Sequence, residues 1–419
     1  MPQIGIIADD LTGACDTALQ FFNEGLSAVV ALSDVGNNST GADAVAISTN
    51  SRNCAPDEAY RKVTNSVNQM RAAGIDSFYK KIDSALRGNI GSELDAVMDT
   101  LAAEVVIVSS AFPAQNRTVE QGNLYVNGQP LTDTALGRET SVESCAVVEI
   151  ISRTTQSAVQ NINLDVIRSG ADRLKQELQA AVTAGYRILV CDAVTNEDLD
   201  EIAGILDTYI LERPSQWQGA GSAGLAAATA RLHSPVSHRA KRRALLLREG
   251  GRLVVVGSQH PAARAQLEWL QRTYAVRVIA LSADALCSGH ANEVGRVAQE
   301  VKRDLLAGTD VALITESSNA LPRDSQTAQA LAEAMGEILS GSSLPLAALM
   351  VVGGDTAMGI LAALEAESAE VIAEAEPGVP VLALQGGRYP DLPLITKAGS
   401  FGNRKSLASA LQFLDLHLL

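Results

Sequence analysis

The sequence predicts an α/β protein of two domains, each a largely parallel sheet sandwiched by helices in three layers. Three observations carry this. Short β-rich apolar runs alternate with longer helical stretches. The series breaks once, near 233–251, and then resumes. A chain of 419 residues, at roughly 150 per domain, gives two or three domains with room for large cores.

In the first half, strands are expected at Gln3–Ala8, Ala28–Leu32, Ala44–Ser48, Ser77–Ile82, Val105–Ser109 and Arg187–Cys191. Helices are expected at Thr12–Glu24, Pro56–Ala73, Gly91–Ala102 and Ala171–Ala184, where Gly25, Gly74 and Gly185 supply left-handed stops. Residues 111–160 are irregular and polar, and read as a functional loop anchored by strands. The break holds Pro235 and a basic run from Arg239 to Arg248, and reads as a linker first and as a basic patch that gathers phosphates second. Beyond it, strands are expected at Arg252–Val256, Val276–Ala280, Val311–Thr315, Ala347–Val352 and Val381–Leu384. Helices are expected at Pro261–Thr273, Asn292–Leu306, Asp324–Leu339 and Thr356–Leu364. The domains are therefore placed at 1–235 and 252–419, with a linker at 236–251.

Composition excludes several classes. The net charge of −15 argues against nucleic acid, because neutralising phosphates needs a basic face. Aromatics at 4% give few stacking platforms. No segment is apolar enough to span a membrane, and MPQIGIIADD lacks the basic start of a signal peptide. Five cysteines without metal spacing suggest a reducing cytoplasmic compartment.

Chemistry concentrates at strand ends, where open α/β sheets bind ligands. Asp9 and Asp10 close the first strand, with Asp16 a turn into the next helix. They could accept a hydroxyl proton or hold Mg²⁺, or one could simply cap the helix. In KKIDSALRGNIG (80–91), strand alternation puts Lys81 and Asp83 on one face and Lys80 on the other. With Ser84 and Arg87 they could grip an anionic ligand or form an internal ion network. AFPAQNRTVEQG (111–122) brings Gln115, Asn116 and Arg117 to another strand end, either lining the crevice or forming a Pro-shaped turn with a surface Arg. GAGSAG (219–224) fits the dinucleotide fingerprint, but ERPSQWQ before it does not read as a strand. A small-residue helix start that lets elements pack closely, or lets backbone approach a phosphate, is the better account. In the second half, VVVGSQH (254–260), VVGGDTA (351–357) and LITKAGSFG (394–402) each turn on glycine after a strand. Backbone N–H groups there cradle phosphates, and Ser258, Asp355 and Thr356 could add oxygen ligands. His260 could touch a phosphate, but reads first as a helix-start residue satisfied by backbone. No G-x-x-x-x-G-K-[ST] occurs, so this is not a P-loop fold.

At these motifs the sequence resembles the four-carbon acid sugar kinases. IADDLTGACDTALQF, KKIDSALRGNIGSELDA, AFPAQNRTVEQG, GSAGLA, VVVGSQH, GGDTA, EPGVP and LPLITKAGSFG stand in the family's order across nearly the whole chain. The resemblance implies an N-terminal domain that binds the acid sugar and a C-terminal domain that binds ATP. It further implies an active site in the interdomain crevice and transfer of phosphate to the terminal hydroxyl. Nucleotide contacts would fall on Ser258, Gly353, Gly354, Asp355, Thr356 and Gly399. Cys15, Ala85, Asn116 and Ser400 depart from the pattern, while Asp16-Thr17 and Gln20-Phe21 look more like threonate and erythronate kinases than 3-oxo-tetronate kinases.

The expected activity is ATP-dependent phosphorylation of the C4 hydroxyl, with D-threonate the first substrate and D-erythronate or a 3-oxo-tetronate next. Asp10, Asp83 and Arg87 are assigned to catalysis, and Asp9, Lys81, Ser84 and Arg117 to the acid sugar. Mg²⁺ would bridge the phosphates, with no protein ligand assigned. Neither nucleic acid nor membrane is an expected partner, and a homo-oligomer is compatible. The rivals are a silent acid-sugar or nucleotide sensor and, from GAGSAG alone, a nicotinamide dehydrogenase.

Overall fold

The structure is a computed structural model that describes residues 3–33, 35, 41–139, 142–212, 216–234, 249–316, 325–340 and 344–417. Residues 236–248 of the expected linker, and Asp324 at the expected start of a helix, lie outside them. The chain forms two compact units. Met1–Ala28 and Thr40–Ala240 make the first, and Val29–Ser39 and Lys241–Leu419 make the second.

The first unit opens with β1 (Ile4–Ala8) and α1 (Leu11–Asn23). The chain then leaves it through β2 (Ala28–Ala31), and Asp43 Oδ2 accepts hydrogen bonds from both N and Oγ of Ser27 across the excursion. It continues with β3 (Ala44–Ser48), α2 (Pro56–Ala72), β4 (Ser77–Lys81), α3 (Ile90–Leu101) and β5 (Val105–Ser109). Next come β6 (Arg117–Glu120), β7 (Asn123–Val126), β8 (Gln129–Pro130), α4 (Ala135–Glu139), α5 (Val147–Ser152), β9 (Val159–Ile162), α6 (Leu164–Ile167) and α7 (Ala171–Thr183). The unit closes with β10 (Ile188–Cys191), α8 (Asn196–Glu212), β11 (Trp217–Gly221) and α9 (Ala223–Leu232). Its main sheet runs β3-β1-β4-β11-β5-β10-β9, with all pairs parallel. Because helices cover both faces, β1, β5 and β10 read as unbroken apolar runs and are buried throughout.

The stretch 111–160, expected as an irregular loop, holds a small antiparallel sheet, β6-β7-β8, and two short helices. Strands of two to four residues, joined through glycines such as Gly122 (φ +72°) and Gly128 (φ +75°), are too short to show a period.

The second unit contains β12 (Gly251–Val256), α10 (Pro261–Thr273), β13 (Val276–Ser282), α11 (Ala283–Leu306), β14 (Asp310–Glu316), α12 (Ser325–Ser340), β15 (Leu346–Val352) and α13 (Gly354–Ala363). It ends with β16 (Ser368–Glu376), β17 (Val379–Gln385), β18 (Pro393–Lys397) and α14 (Ser406–His417). Strands β13-β14-β12-β15-β18 are parallel, and β17, β16 and β2 follow as antiparallel neighbours. Val254, Val256, Met350, Val352, Ile395 and Leu411 anchor its core.

Strand order fixes where ligands can bind. After β1 the chain goes to β3 on one side and then to β4 on the other, so it diverges at the carboxyl end of β1. In the second unit it passes through β13 and β14 before crossing to β15, and diverges beside β12. Crevices at such switch points are the binding positions of open α/β sheets. No helix among the described residues is long and apolar enough to cross a membrane.

Candidate active site

At the carboxyl end of β1, Asp10 takes an extended conformation (φ −142°, ψ 165°) and caps α1: Gly13 N donates to its Oδ1 at 2.8 Å, and Thr12 Oγ1 donates to its Oδ2 at 2.5 Å. The principal cation is Arg52, which no sequence motif singled out. It follows β3 and reaches across the switch point. Its Nε donates to Asp9 Oδ2 (2.6 Å), its Nη1 to Asp10 Oδ2 (2.7 Å), and its Nη2 lies 3.8 Å from Asp83 Oδ1. Asp83 also accepts a two-pronged bond from Arg87, Nε to Oδ2 at 2.6 Å and Nη2 to Oδ1 at 3.0 Å. The internal ion network foreseen as one account of 80–91 is therefore present, enlarged by Arg52.

The electrostatics follow from burial. Burial alone would raise Asp10, but Arg52 and Lys81 outweigh it and hold the carboxyl below its usual value. Burial likewise opposes ionisation of Asp83, yet Arg87 and Arg52 keep it well below the usual range. Asp16 differs. Burial pushes it up to about 6, with Lys81 and the hydrogen bond from Gln20 only partly offsetting this. Asp9 Oδ1 is buried and, among the described residues, accepts no hydrogen bond, which leaves an acceptor for a ligand hydroxyl.

Lys81 and Asp83 share the cluster. The Lys81 ammonium donates to Ile82 O (2.9 Å), and a Cβ on Gly13 would lie 3.1 Å from it. Ser84 is buried in the turn closed by Leu86 N donating to Asp83 O (2.9 Å). Leu86 there holds φ +61°, costing roughly 1–2 kcal/mol. Lys80 leaves the cluster as alternation predicts. Its ammonium is fully buried, 2.6 Å from Glu93 Oε2, and also donates to Lys81 O (2.8 Å). Glu93 in turn accepts from Ser51 Oγ (2.6 Å), and Asn89 Nδ2 donates to the carbonyls of Ser51 (3.0 Å) and Cys54 (2.8 Å). This buried pair fastens the segment that carries Arg52.

In AFPAQNR, Pro113–Gln115 forms a 3₁₀ turn and Arg117 pairs back to Phe112. Asn116 has φ +54°, the physical reason glycine suits that position. Arg117 is not at the surface, however. It is buried, lies in the fields of Asp83 and Asp16, and donates from Nη1 to Gln115 O (3.3 Å).

In the second unit the three glycine turns meet. Gly257 N and Ser258 N both donate to Val352 O (3.2 Å each), and Gly353 N donates to Lys397 O (3.0 Å). A Cβ on Gly257 would stand 1.9 Å from Thr356 Oγ1, and one on Gly399 would stand 1.9 Å from Ser258 Oγ. Gly353 holds φ +118° and opens α13, with Gly354, Asp355 and Thr356 forming the first turn. The helix N-terminus supplies N–H donors and positive potential, so the shape and donors fit a nucleotide's phosphates. His260 Nδ1 accepts from Ala262 N (3.1 Å) as the cap of α10.

Gly219–Gly221 of GAGSAG lie inside a strand, β11, which begins at Trp217, so the end of ERPSQWQ is strand after all. The glycines still serve packing. Added Cβ atoms would meet Leu206 Cδ2 at 2.6 Å (Gly219), Ser109 O at 2.4 Å (Gly221) and Ala111 O at 2.6 Å (Gly224).

Residues 4–229 match the family described as sugar-binding N-terminal domain, and residues 253–407 match the nucleotide-binding C-terminal domain. The chain is 33% identical to the D-threonate kinase of Bordetella bronchiseptica, over 98% of this chain and 97% of that one. It is 32% identical to the D-erythronate kinase of Heliobacterium modesticaldum (99% and 97% covered) and 28% identical to the 3-oxo-tetronate kinase of Pseudomonas fluorescens (98% and 96% covered). Crystal structures of a Salmonella typhimurium protein (TM-score 0.79, 23% identity, 98% and 99% covered) and a Haemophilus influenzae protein (TM-score 0.70, 22% identity, 97% and 99% covered) share the fold.

Proposed function

The chain belongs to the four-carbon acid sugar kinases, and on that premise we propose that it transfers the terminal phosphoryl group of ATP to the C4 hydroxyl of D-threonate, with D-erythronate or a 3-oxo-tetronate as the next substrates. The observation that carries the substrate class is the buried cluster of Asp9, Asp10 and Asp83 around Arg52 and Arg87. Guanidinium groups bind a carboxylate two-pronged, and carboxylates accept from sugar hydroxyls. An acid sugar offers both groups.

In this reading Arg87 and Lys81 hold the substrate's carboxylate or the transferring phosphoryl, with Arg117 and Ser84 lining the site. Asp9 Oδ1 accepts from a substrate hydroxyl. Asp10 and Asp83 orient the attacking hydroxyl. Their depressed pKa values make them weak bases. Weak bases suffice where the transition state is loose and the proton leaves late, so that positioning supplies most of the rate. The nucleotide lies on the turns at Ser258, Gly353–Thr356 and Gly399, and Mg²⁺ carried by the phosphates spreads their charge. The test is ADP release across D-threonate, L-threonate, D-erythronate and the 3-oxo-tetronates. Turnover with one four-carbon acid and no response to NAD(H) supports the reading. Tight binding without turnover across the whole panel overturns it in favour of a sensor.

A further inference from the structure

The motif LITKAGSFG contains a lysine that the phosphate-cradle argument does not use. Lys397 ends β18 and is fully buried, at 1% exposure, and among the described residues its ammonium has no carboxylate ion-pair partner. It donates instead to two carbonyls of the turn that follows, Ala398 O and Phe401 O, each at 2.8 Å. Phe401 N closes the same turn onto Ala398 O (3.1 Å), and Gln266 Nε2 from α10 donates to Phe401 O (2.9 Å). Gln266 is itself completely buried.

The geometry has a consequence for the N–H groups. The chain contains no cis peptide bond among the described residues, so the C=O and N–H of each peptide unit point in opposite directions. Drawing Ala398 O onto the ammonium turns Gly399 N–H away from it. Drawing Phe401 O onto the ammonium and Gln266 does the same to Gly402 N–H. Among the described residues neither N–H donates a hydrogen bond. The backbone carbonyl of Lys397 also accepts from Gly353 N, so this residue ties the turn after β15 to the turn after β18.

We propose that Lys397 is a positioning residue of the nucleotide site: its ammonium gathers the carbonyls of the 398–401 turn and so presents the N–H groups of Gly399 and Gly402 to the phosphates. This rests on the nucleotide reading above. Burial pulls the lysine down to about 8, with Glu376 pulling it partly back up.

The experiment measures ATP and acid-sugar binding by calorimetry, with steady-state kinetics, for wild type, Lys397→Met and Gln266→Leu. The positioning role predicts ATP affinity weakened about tenfold or more in Lys397→Met and threefold or more in Gln266→Leu. KM for ATP should rise in both, while acid-sugar affinity stays within twofold. If Lys397→Met does not fold, Gln266→Leu carries the test, since it removes the other donor to Phe401 O with little change in volume. Unchanged ATP affinity in the folded variants overturns the inference alone. Loss confined to Lys397→Met, with Gln266→Leu binding normally, means direct phosphate contact and also overturns it. A wild-type protein that binds no nucleotide overturns the proposed function, and this inference with it.

Discussion

The two strand-end sites solve recognition in opposite ways. In the first unit the crevice is filled by charged side chains already bound to one another: Arg52 to Asp9 and Asp10, Arg87 to Asp83, and Lys80 to Glu93 beneath them. In the second, the carboxyl ends of β12, β15 and β18 carry glycine, serine and threonine, and the side chains are removed so that backbone can close on backbone. A small acid with several hydroxyls needs directional partners of both signs. A chain of phosphates needs N–H groups at close approach. The first site should therefore fail when charge is removed, and the second when volume is added.

The largest effect is expected at Arg52. Arg52→Ala leaves the buried Asp9 and Asp83 and the half-buried Asp10 without their shared cation, which costs about 3–5 kcal/mol of stability. It should also lower kcat/KM for the acid sugar by ~10²-fold or more through misplacement of the hydroxyl. Denaturant unfolding and steady-state kinetics measure the two. A variant with near-normal turnover would show that the cluster is structural only.

Lys80→Ala sharpens the contrast from below the site. Strand alternation alone makes this change mild. The buried pair with Glu93 makes it destabilising by about 3–5 kcal/mol, because an uncompensated carboxylate remains in the core. Burial already raises Glu93, with Lys80 as its main offset. Restoration of the melting temperature by Lys80→Met with Glu93→Leu in the same chain would confirm that the unpaired charge causes the loss.

Asp16 should respond with the opposite sign. Its carboxyl titrates at about 6 in the folded protein against 3.8 unfolded. The folded state thus holds the proton more tightly, and the stability this gives is complete below pH 3.8 and lost as pH rises through 6. Above that the ionised, buried group costs roughly 3 kcal/mol. Asp16→Asn should leave stability unchanged near pH 4 and raise it by about that amount at pH 8. An Asn variant less stable than wild type at pH 8 would contradict the burial argument.

The smallest free energy, and the cleanest test of the second site, belongs to Gly399→Ala. One methyl group placed 1.9 Å from Ser258 Oγ forces a local shift costing about 1–3 kcal/mol. ATP affinity should fall ~10–100-fold while acid-sugar affinity is kept. Equal loss for both ligands would break the division of labour between the sites.

Much of this was legible along the chain because it is encoded locally. Buried parallel strands show as apolar runs, glycine marks helix ends and tight turns, and acids or glycines just after a strand mark the edge where ligands sit. Asp9, Asp10 and Asp83, and likewise Gly257, Gly353 and Gly399, stand just past strands by that rule. The three-stranded sheet after Arg117 was not, since its strands are shorter than any period that could reveal them.

What only the tertiary structure decided is which side chains meet. Arg52 lies 43 and 42 residues from Asp9 and Asp10, in a stretch with no motif of its own. It becomes the principal cation only because β3 and β4 flank β1 in the sheet. The same holds for Lys80 with Glu93, for Lys397 with Gln266 and the 398–401 turn, and for GAGSAG, whose glycines answer to the neighbouring backbone at Ser109 and Ala111. Local sequence sets the period and the turns. Partnership depends on strand order, and strand order is a property of the whole chain, settled by which faces can be buried together.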